Sequence, residues 1–230
     1  MERDTGLDFN FWPSFADLML ALVLIMALVL FLTSAVLTVG SVNLRHVEQQ
    51  QEAMIQVIAK SYNTEAVKMP GTEQTYGIAV YRSTPPDLLV QNEPLLQRIT
   101  FSDNILFESD KVNLKPKGEK ILKDVATALK SQLRFIKEIQ IQGHADNDFS
   151  PTYKLNIRLA AERAITVFKF FEAEGIDPAE HLMSVTSFGE FRPVARKDDA
   201  EFNERKLKEA NAGDLKNQNR RIELLLFYRR

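Results

Sequence analysis

The sequence predicts a single N-terminal transmembrane helix followed by an α/β domain in which helices lie on one side of a small sheet. Three observations predict it: an unbroken apolar run from Leu18 to Leu32, two successive strand-then-helix units between residues 97 and 175, and a strongly apolar final strand, Arg221 to Tyr228. At 230 residues the chain holds one domain with a real core plus a smaller attachment. Its 29 basic and 31 acidic residues leave a net charge of −2, so nothing points to nucleic acid as a partner. With no cysteine, disulfides, thiolate catalysis and cysteine-ligated zinc drop out.

The spanning segment comes first. From Leu18 to Val39 only Thr33, Ser34 and Thr38 are polar, and this length reaches about 33 Å, enough for a ~30 Å hydrocarbon core. Phe11, Trp12 and Phe15 supply an interfacial aromatic belt, and Pro13 falls in the first turn, where a helix tolerates it. The residues ahead carry Glu2, Asp4 and Asp8 against Arg3 alone, without the basic region and small-residue cleavage site of a secretory leader. The helix is therefore expected to stay as a membrane anchor. Arg45 and His46 follow it, so the charge rule by itself leaves both orientations open.

The expected organisation is a tail over 1–14, the transmembrane helix over 15–40, a stalk or linker over 41–96 and the α/β domain over 97–230. In the stalk, Val47, Met54 and Ile58 share one helical face, which suggests pairing with a second copy. Breakers at Met69-Pro70-Gly71-Thr72 and Ser83-Thr84-Pro85-Pro86 bracket a short strand, Tyr76 to Tyr81. In the domain, an extended segment from Arg98 to Phe107 precedes a helix opened by Pro116, whose Ile121, Leu122, Val125, Leu129 and Leu133 fall on one face. A strand from Ile136 to Gly143 leads into a long helix from about Thr152 until Gly175 stops it. Leu182 to Phe188 gives another strand, and Arg192 to Asn219 a charged, partly helical excursion.

Four linked motifs carry a family resemblance: Gly143-His144-Ala145-Asp146, then Asn156-x-x-Leu159-Ala160-x-x-Arg163-Ala164, then Ser187-Phe188-Gly189-Glu190-x-x-Pro193, then Asn219-Arg220-Arg221-Ile222-Glu223. In order and spacing they resemble the OmpA-like peptidoglycan-binding family over residues 97 to 230. The resemblance implies that Asp146 and Arg163 grip the diaminopimelate side chain of peptidoglycan stems, with Asn156 and Leu159 in the same motif. A fixed aspartate and a fixed arginine complement the ammonium and carboxylate at the free end of diaminopimelate, whereas lysine-type stems lack that carboxylate. Asn219 to Glu223 is read as scaffold. The loop Asn147-Asp148-Phe149-Ser150-Pro151 lacks the family's usual glycine and is two residues longer, which predicts a reshaped pocket.

Asp17 stands at the head of the apolar run, where a carboxylate is costly and marks either an ion carrier or a residue favoured by the helix N-terminus. The run Trp12-Pro13-Ser14-Phe15-Ala16-Asp17-Leu18-Met19 resembles the MotB-type stator subunits of ion-driven motors, and within them the ZorB family of the Zorya anti-phage system. The resemblance implies that Asp17 binds the translocated ion, a proton in preference to sodium. It also implies a homodimer threaded through a pentamer of a multi-span MotA/ZorA-type partner, in the bacterial inner membrane with a cytoplasmic N-terminus and a periplasmic domain. Stator relatives also imply a plug after the span, in Ser41 to Lys60. No other cofactor is expected. The rival readings are a flagellar MotB-type subunit and a passive peptidoglycan anchor. A third, metal-dependent hydrolysis, would use His144-x-Asp146-x-Asp148. It lacks a second histidine cluster, a catalytic serine and a phosphate-binding glycine loop, so neither a metal nor an enzyme activity is expected.

Overall fold

The computed structural model describes residues 12–70, 74–79, 87–196 and 201–229, with residues 39–43 in backbone only. Phe11 and the acidic tail lie outside these residues, as do Val80 and Tyr81 of the expected strand, Gly71 and Thr72 of the first breaker and the whole of the second. The first helix, α1, is Trp12–Ser61, and the chain divides into two units between Arg45 and His46. In the first unit, Trp12–Thr38 is long and apolar enough to cross a membrane, with a mean hydropathy of 2.9 and its side chains exposed. The Thr33 hydroxyl donates to the Leu30 carbonyl at 3.0 Å and that of Thr38 to the Ser34 carbonyl at 2.8 Å. Both thus bond back to their own helix, as hydroxyls do where no water is available.

The second unit is built on a seven-stranded mixed sheet in the order β1-β2-β3-β4-β7-β5-β6. Its strands are β1 (Val67–Lys68), β2 (Thr75–Ile78), β3 (Leu88–Glu93), β4 (Leu96–Ser102), β5 (Ile136–His144), β6 (Leu182–Gly189) and β7 (Arg221–Tyr228). All neighbours are antiparallel except β5 and β6, which are parallel and joined through a helix as a βαβ unit. Because side chains alternate with period two, the register aligns whole apolar rows on one face. Val90, Ile99, Leu224 and Ile141 form one such row, and Leu88, Phe101, Ile222 and Gly143 the next.

That face carries helix α3 (Pro116–Gln132) and helix α4 (Asn156–Ala173), whose Ile121, Leu122, Val125, Leu129, Ala164, Val167 and Phe171 join the same core. The second row ends in a glycine for a steric reason. A Cβ on Gly143 would sit 2.1 Å from the Ala160 carbonyl oxygen, so α4 lies against bare backbone there. At its far end α4 closes with Gly175 at φ +88°, its amide donating to Glu172 and that of Ile176 to Phe171. This is the paired-bond termination that needs a left-handed residue.

Four sequence expectations change. The segment expected as a stalk is part of the domain: Val47, Met54, Ile55 and Ile58 are buried in its core. Gln51, also buried, donates from its side-chain amide to the Glu93 carbonyl at 2.9 Å, and its main-chain carbonyl accepts from the Gln97 side chain at 2.9 Å. The apolar face is the expected one, but it meets this chain's own domain, and the polar glutamine that interrupts it is satisfied by the β3–β4 hairpin. The domain thus begins at His46 rather than residue 97, and the expected linker supplies β1 to β3. The extended segment to Phe107 stops at Ser102, after which Asp103–Leu106 forms a short helix, α2. The long helix begins at Asn156 rather than Thr152, after a turn in which Lys154 takes φ +61°.

If Met54 is a core residue, Met54→Ala should lower the unfolding free energy by about 2–5 kcal/mol. Urea denaturation of the chain in detergent measures this. A loss within about 0.5 kcal/mol, the usual effect at a surface position, would return the segment to a stalk.

Candidate functional site

The resemblance placed a site at the carboxyl end of β5 and the start of α4, where α/β sheets commonly present their ligand-binding loops. A cleft of about 370 Å³ lies there. Asp103, Asp146, Leu159, Arg163 and Arg220 line it, together with Phe149 of the lengthened loop.

Arg163 projects from α4 and is almost fully buried, at 3 % exposure. Its Nη1 donates to the Asp103 carboxylate at 2.8 Å, its Nε to the Lys111 carbonyl at 2.8 Å and its Nη2 to the Glu108 carbonyl at 3.0 Å. Its guanidinium carbon lies 5.2 Å from the centre of the Phe107 ring. All three nitrogens are therefore engaged within the protein, as a buried guanidinium requires. Burial pushes the Asp103 carboxyl up to about 6 from its usual 3.8, against the pull of Arg163, Arg220 and Lys115.

Asp146, two residues past the end of β5, is also buried. It is paired with Arg220 and accepts the Asp148 amide at 3.1 Å. Asn156 donates to the Asp146 main-chain carbonyl at 3.1 Å and to Glu190, so it shapes the loop rather than facing the cleft. Leu159, 7 % exposed, forms an apolar part of the wall.

The lengthened loop is held in place by Asp110, which sits at φ +55°. Its carboxylate accepts from the Ser150 hydroxyl and from the Thr152 amide at 3.3 Å and hydroxyl at 2.5 Å. Those hydroxyl bonds hold the Asp110 carboxyl below its ordinary range. The loop that carries Asp146 is thus fastened to the segment whose carbonyls hold Arg163.

Asp103, Asp110 and Arg220 were not singled out in the sequence, and Asn219 to Glu223 was read wholly as scaffold. Arg220, within that motif, has its side chain lining the cleft. For Asn219 the scaffold role is visible: it is fully buried, accepts the Val194 amide at 2.8 Å and donates to the Ala210 carbonyl and the Asn211 side chain, each at 2.8 Å.

His144, Asp146 and Asp148 diverge. Asp146 pairs with Arg220 and Asp148 with Lys216, while the His144 ring stacks on Phe188 at 5.3 Å and lies 3.8 Å from Glu223. Burial, reinforced by Arg221, pushes His144 down to about 3, so the ring stays neutral. Among the described residues, no three His, Cys, Asp or Glu side chains are grouped to hold a metal ion.

The Asp103 shift has a definite sign. Its folded pKa, about 6, exceeds its unfolded value near 3.8, so its contribution to stability is complete below pH 3.8 and is lost as pH rises through 6. The stability difference between the native chain and Asp103→Asn should therefore fall across that window and level off above it. Urea titrations at a series of pH values test this, and a flat difference would contradict the burial account.

Comparison with known proteins finds a family likeness over part of the chain. Residues 106–206 match the OmpA family. Outer membrane protein A of Bordetella avium is 30% identical over 108 residues, covering 47% of this chain and 53% of that protein. YiaD of Escherichia coli K12 is 29% identical over 159 residues, 69% of this chain and 58% of its own length. The chain thus spans little more than half of these two curated relatives. The periplasmic domain of Helicobacter pylori MotB superposes with a TM-score of 0.54 at 17% identity, covering 69% of this chain and 90% of that domain, a likeness of fold. Residues 106–206 are thus similar to the OmpA family, in a unit whose fold is like that of the MotB periplasmic domain, and an N-terminal apolar helix precedes them in the chain.

Proposed function

We propose that this chain is a peptidoglycan-anchored, stator-type subunit of a proton-driven membrane motor, of the kind found in Zorya anti-phage defence. The observation that carries the anchoring half is the cleft, in which the Asp146 carboxylate stands beside guanidinium groups on a rigid βα junction. Carboxylate and cation side by side complement a ligand that carries ammonium and carboxylate on one carbon, as the free end of diaminopimelate does. Sedimentation with purified diaminopimelate-type sacculi tests this. The native chain in detergent is expected in the pellet, and Asp146→Asn several-fold less so; equal pelleting of both would remove the cleft from the function.

The motor half rests on Asp17. It lies inside the apolar stretch Trp12–Thr38, among exposed apolar neighbours such as Leu18 and Met19. A carboxylate on a helix surface in hydrocarbon calls for protein around it, which supports a multi-span partner and a second copy of this chain. The resemblance of residues 12–19 to the ZorB family supports defence over swimming, and that family's arrangement places the N-terminus in the cytoplasm and the domain in the periplasm. Phage plaquing on cells carrying the native gene neighbourhood separates the readings. Protection that Asp17→Asn abolishes at equal protein level supports the motor. Protection that survives the change favours a passive anchor, and its absence with the native chain turns attention to swimming.

A further inference from the structure

Very little chain separates the apolar stretch from the domain. Thr38 ends the first and His46 opens the second, so in any arrangement of the two units the tether reaches at most about 28 Å. The surface around His46 is therefore never far from lipid headgroups, and it is basic. The His46 ring stands edge-on to Phe135 at 5.4 Å, and the Arg134 guanidinium carbon lies 4.5 Å from the centre of the same ring. The Arg229 amide donates to the Phe135 carbonyl at 2.8 Å and its Nε to that of Ile136 at 3.1 Å, which pins the residue after β7 beside the start of β5. Lys137 follows on β5, and Lys130 lies one helical turn before Arg134. Lys130, Arg134, Lys137 and Arg229 are all exposed, and none forms an ion pair among the described residues. Of the carboxylates at this pole, Glu93 is 3.6 Å from Arg98 and Glu138 accepts from Ser184 at 3.2 Å, both on the sheet face away from α3 and α4. Glu48 and Glu52 of α1 are exposed and only partly offset the four cations.

We propose that this basic pole docks on anionic phospholipid headgroups of the membrane that the chain's own apolar helix spans. A lipid phosphate offers oxygens to the guanidinium forks of Arg134 and Arg229 and a point charge to Lys130 and Lys137. The short tether holds the headgroups at high effective concentration beside the pole, so contacts too weak to recruit a free protein suffice to dock a tethered one. An anionic surface favours each nearby cation by about fivefold in the docked population, an attraction that fades within a Debye length. The inference rests on the membrane span and goes beyond the peptidoglycan reading. β5 runs from this pole at Ile136 to the cleft end at His144, about 26 Å, so docking leaves the cleft open at the opposite end of the domain.

The chain has no cysteine, so a single introduced one carries a nitroxide label at a known place. Ser131→Cys puts it on the exposed end of α3 between Lys130 and Arg134, and Ser109→Cys puts it beside the cleft. With the full chain in lipid nanodiscs that carry a trace of nickel-chelating headgroups, the relaxation of each label reads its distance from the lipid surface. In discs rich in phosphatidylglycerol, relaxation should be strongly enhanced at position 131 and little changed at 109. The enhancement should fall several-fold in discs of phosphatidylcholine with the same trace of nickel. It should fall likewise when Lys130, Arg134, Lys137 and Arg229 are all changed to Gln, and in molar salt, where the Debye length is about 3 Å. Equal enhancement at position 131 in both kinds of disc would overturn the inference, as would stronger enhancement at 109 than at 131. A loss in the Gln variant that salt does not reproduce in the native chain would point to altered folding and overturn it as well. No peptidoglycan is present in this experiment, so failure of the anchoring reading leaves its outcome unaffected.

Discussion

A guanidinium taken out of water must have its charge and its donors met, and Arg163 organises the ligand end of this domain around that requirement. One side chain from α4 gathers the Asp103 carboxylate at the start of α2 and two carbonyls from the segment after it. The strand that would otherwise run on to Phe107 ends at Ser102, and Asp103 turns inward. Asp110, in the same segment, then fastens the loop that presents Asp146. Pair, turn and loop form one connected structure, and the cleft is what they enclose.

The sheet makes this arrangement rigid. The apolar rows running across β3, β4, β7 and β5 fix the register, and Gly143 lets α4 approach until helix and strand backbones touch. The opposite face carries a compact polar group in which Glu223 accepts from Arg221 at 2.6 Å and Arg98 at 3.2 Å. Burial works to raise Glu223, but Arg221 and Arg98 leave it lowered, so the carboxylate stays charged beneath the Asn219-Arg220-Arg221 motif. Asn219 holds the turn before β7, and Arg220 is thereby aimed into the cleft. A scaffold residue and a cleft-lining residue are neighbours in the chain for this reason.

What could be read from the sequence was what is local. Period-two alternation marked β5, an apolar run marked β7, period 3.6 marked α3 and a glycine stop marked the end of α4, because each of these signals lies within one element. The βα junction carrying Asp146, Leu159 and Arg163 was reached through its motifs. The pairs that complete the site were out of reach, because Arg163 meets Asp103 from 60 positions away, Asp146 meets Arg220 from 74 and Asp110 meets Ser150 from 40. The end of α1 misled for a related reason. A thin apolar face with a glutamine in its middle suits a solvated stalk, and only the hairpin far along the chain, which accepts from Gln51 and donates back to it, makes that face a core element.

The central claim is that the cleft between the Asp146 loop and α4 holds the peptidoglycan stem. Nuclear magnetic resonance of the full chain in detergent micelles, with the arginine Nε–H groups observed while a diaminopimelate stem peptide is added, tests it most directly. The account predicts large shifts at the arginine Nε–H groups of the cleft and at the amides of Asp146 to Asp148. Shifts confined to other surfaces, or none at peptide concentrations where native sacculi bind, would contradict it.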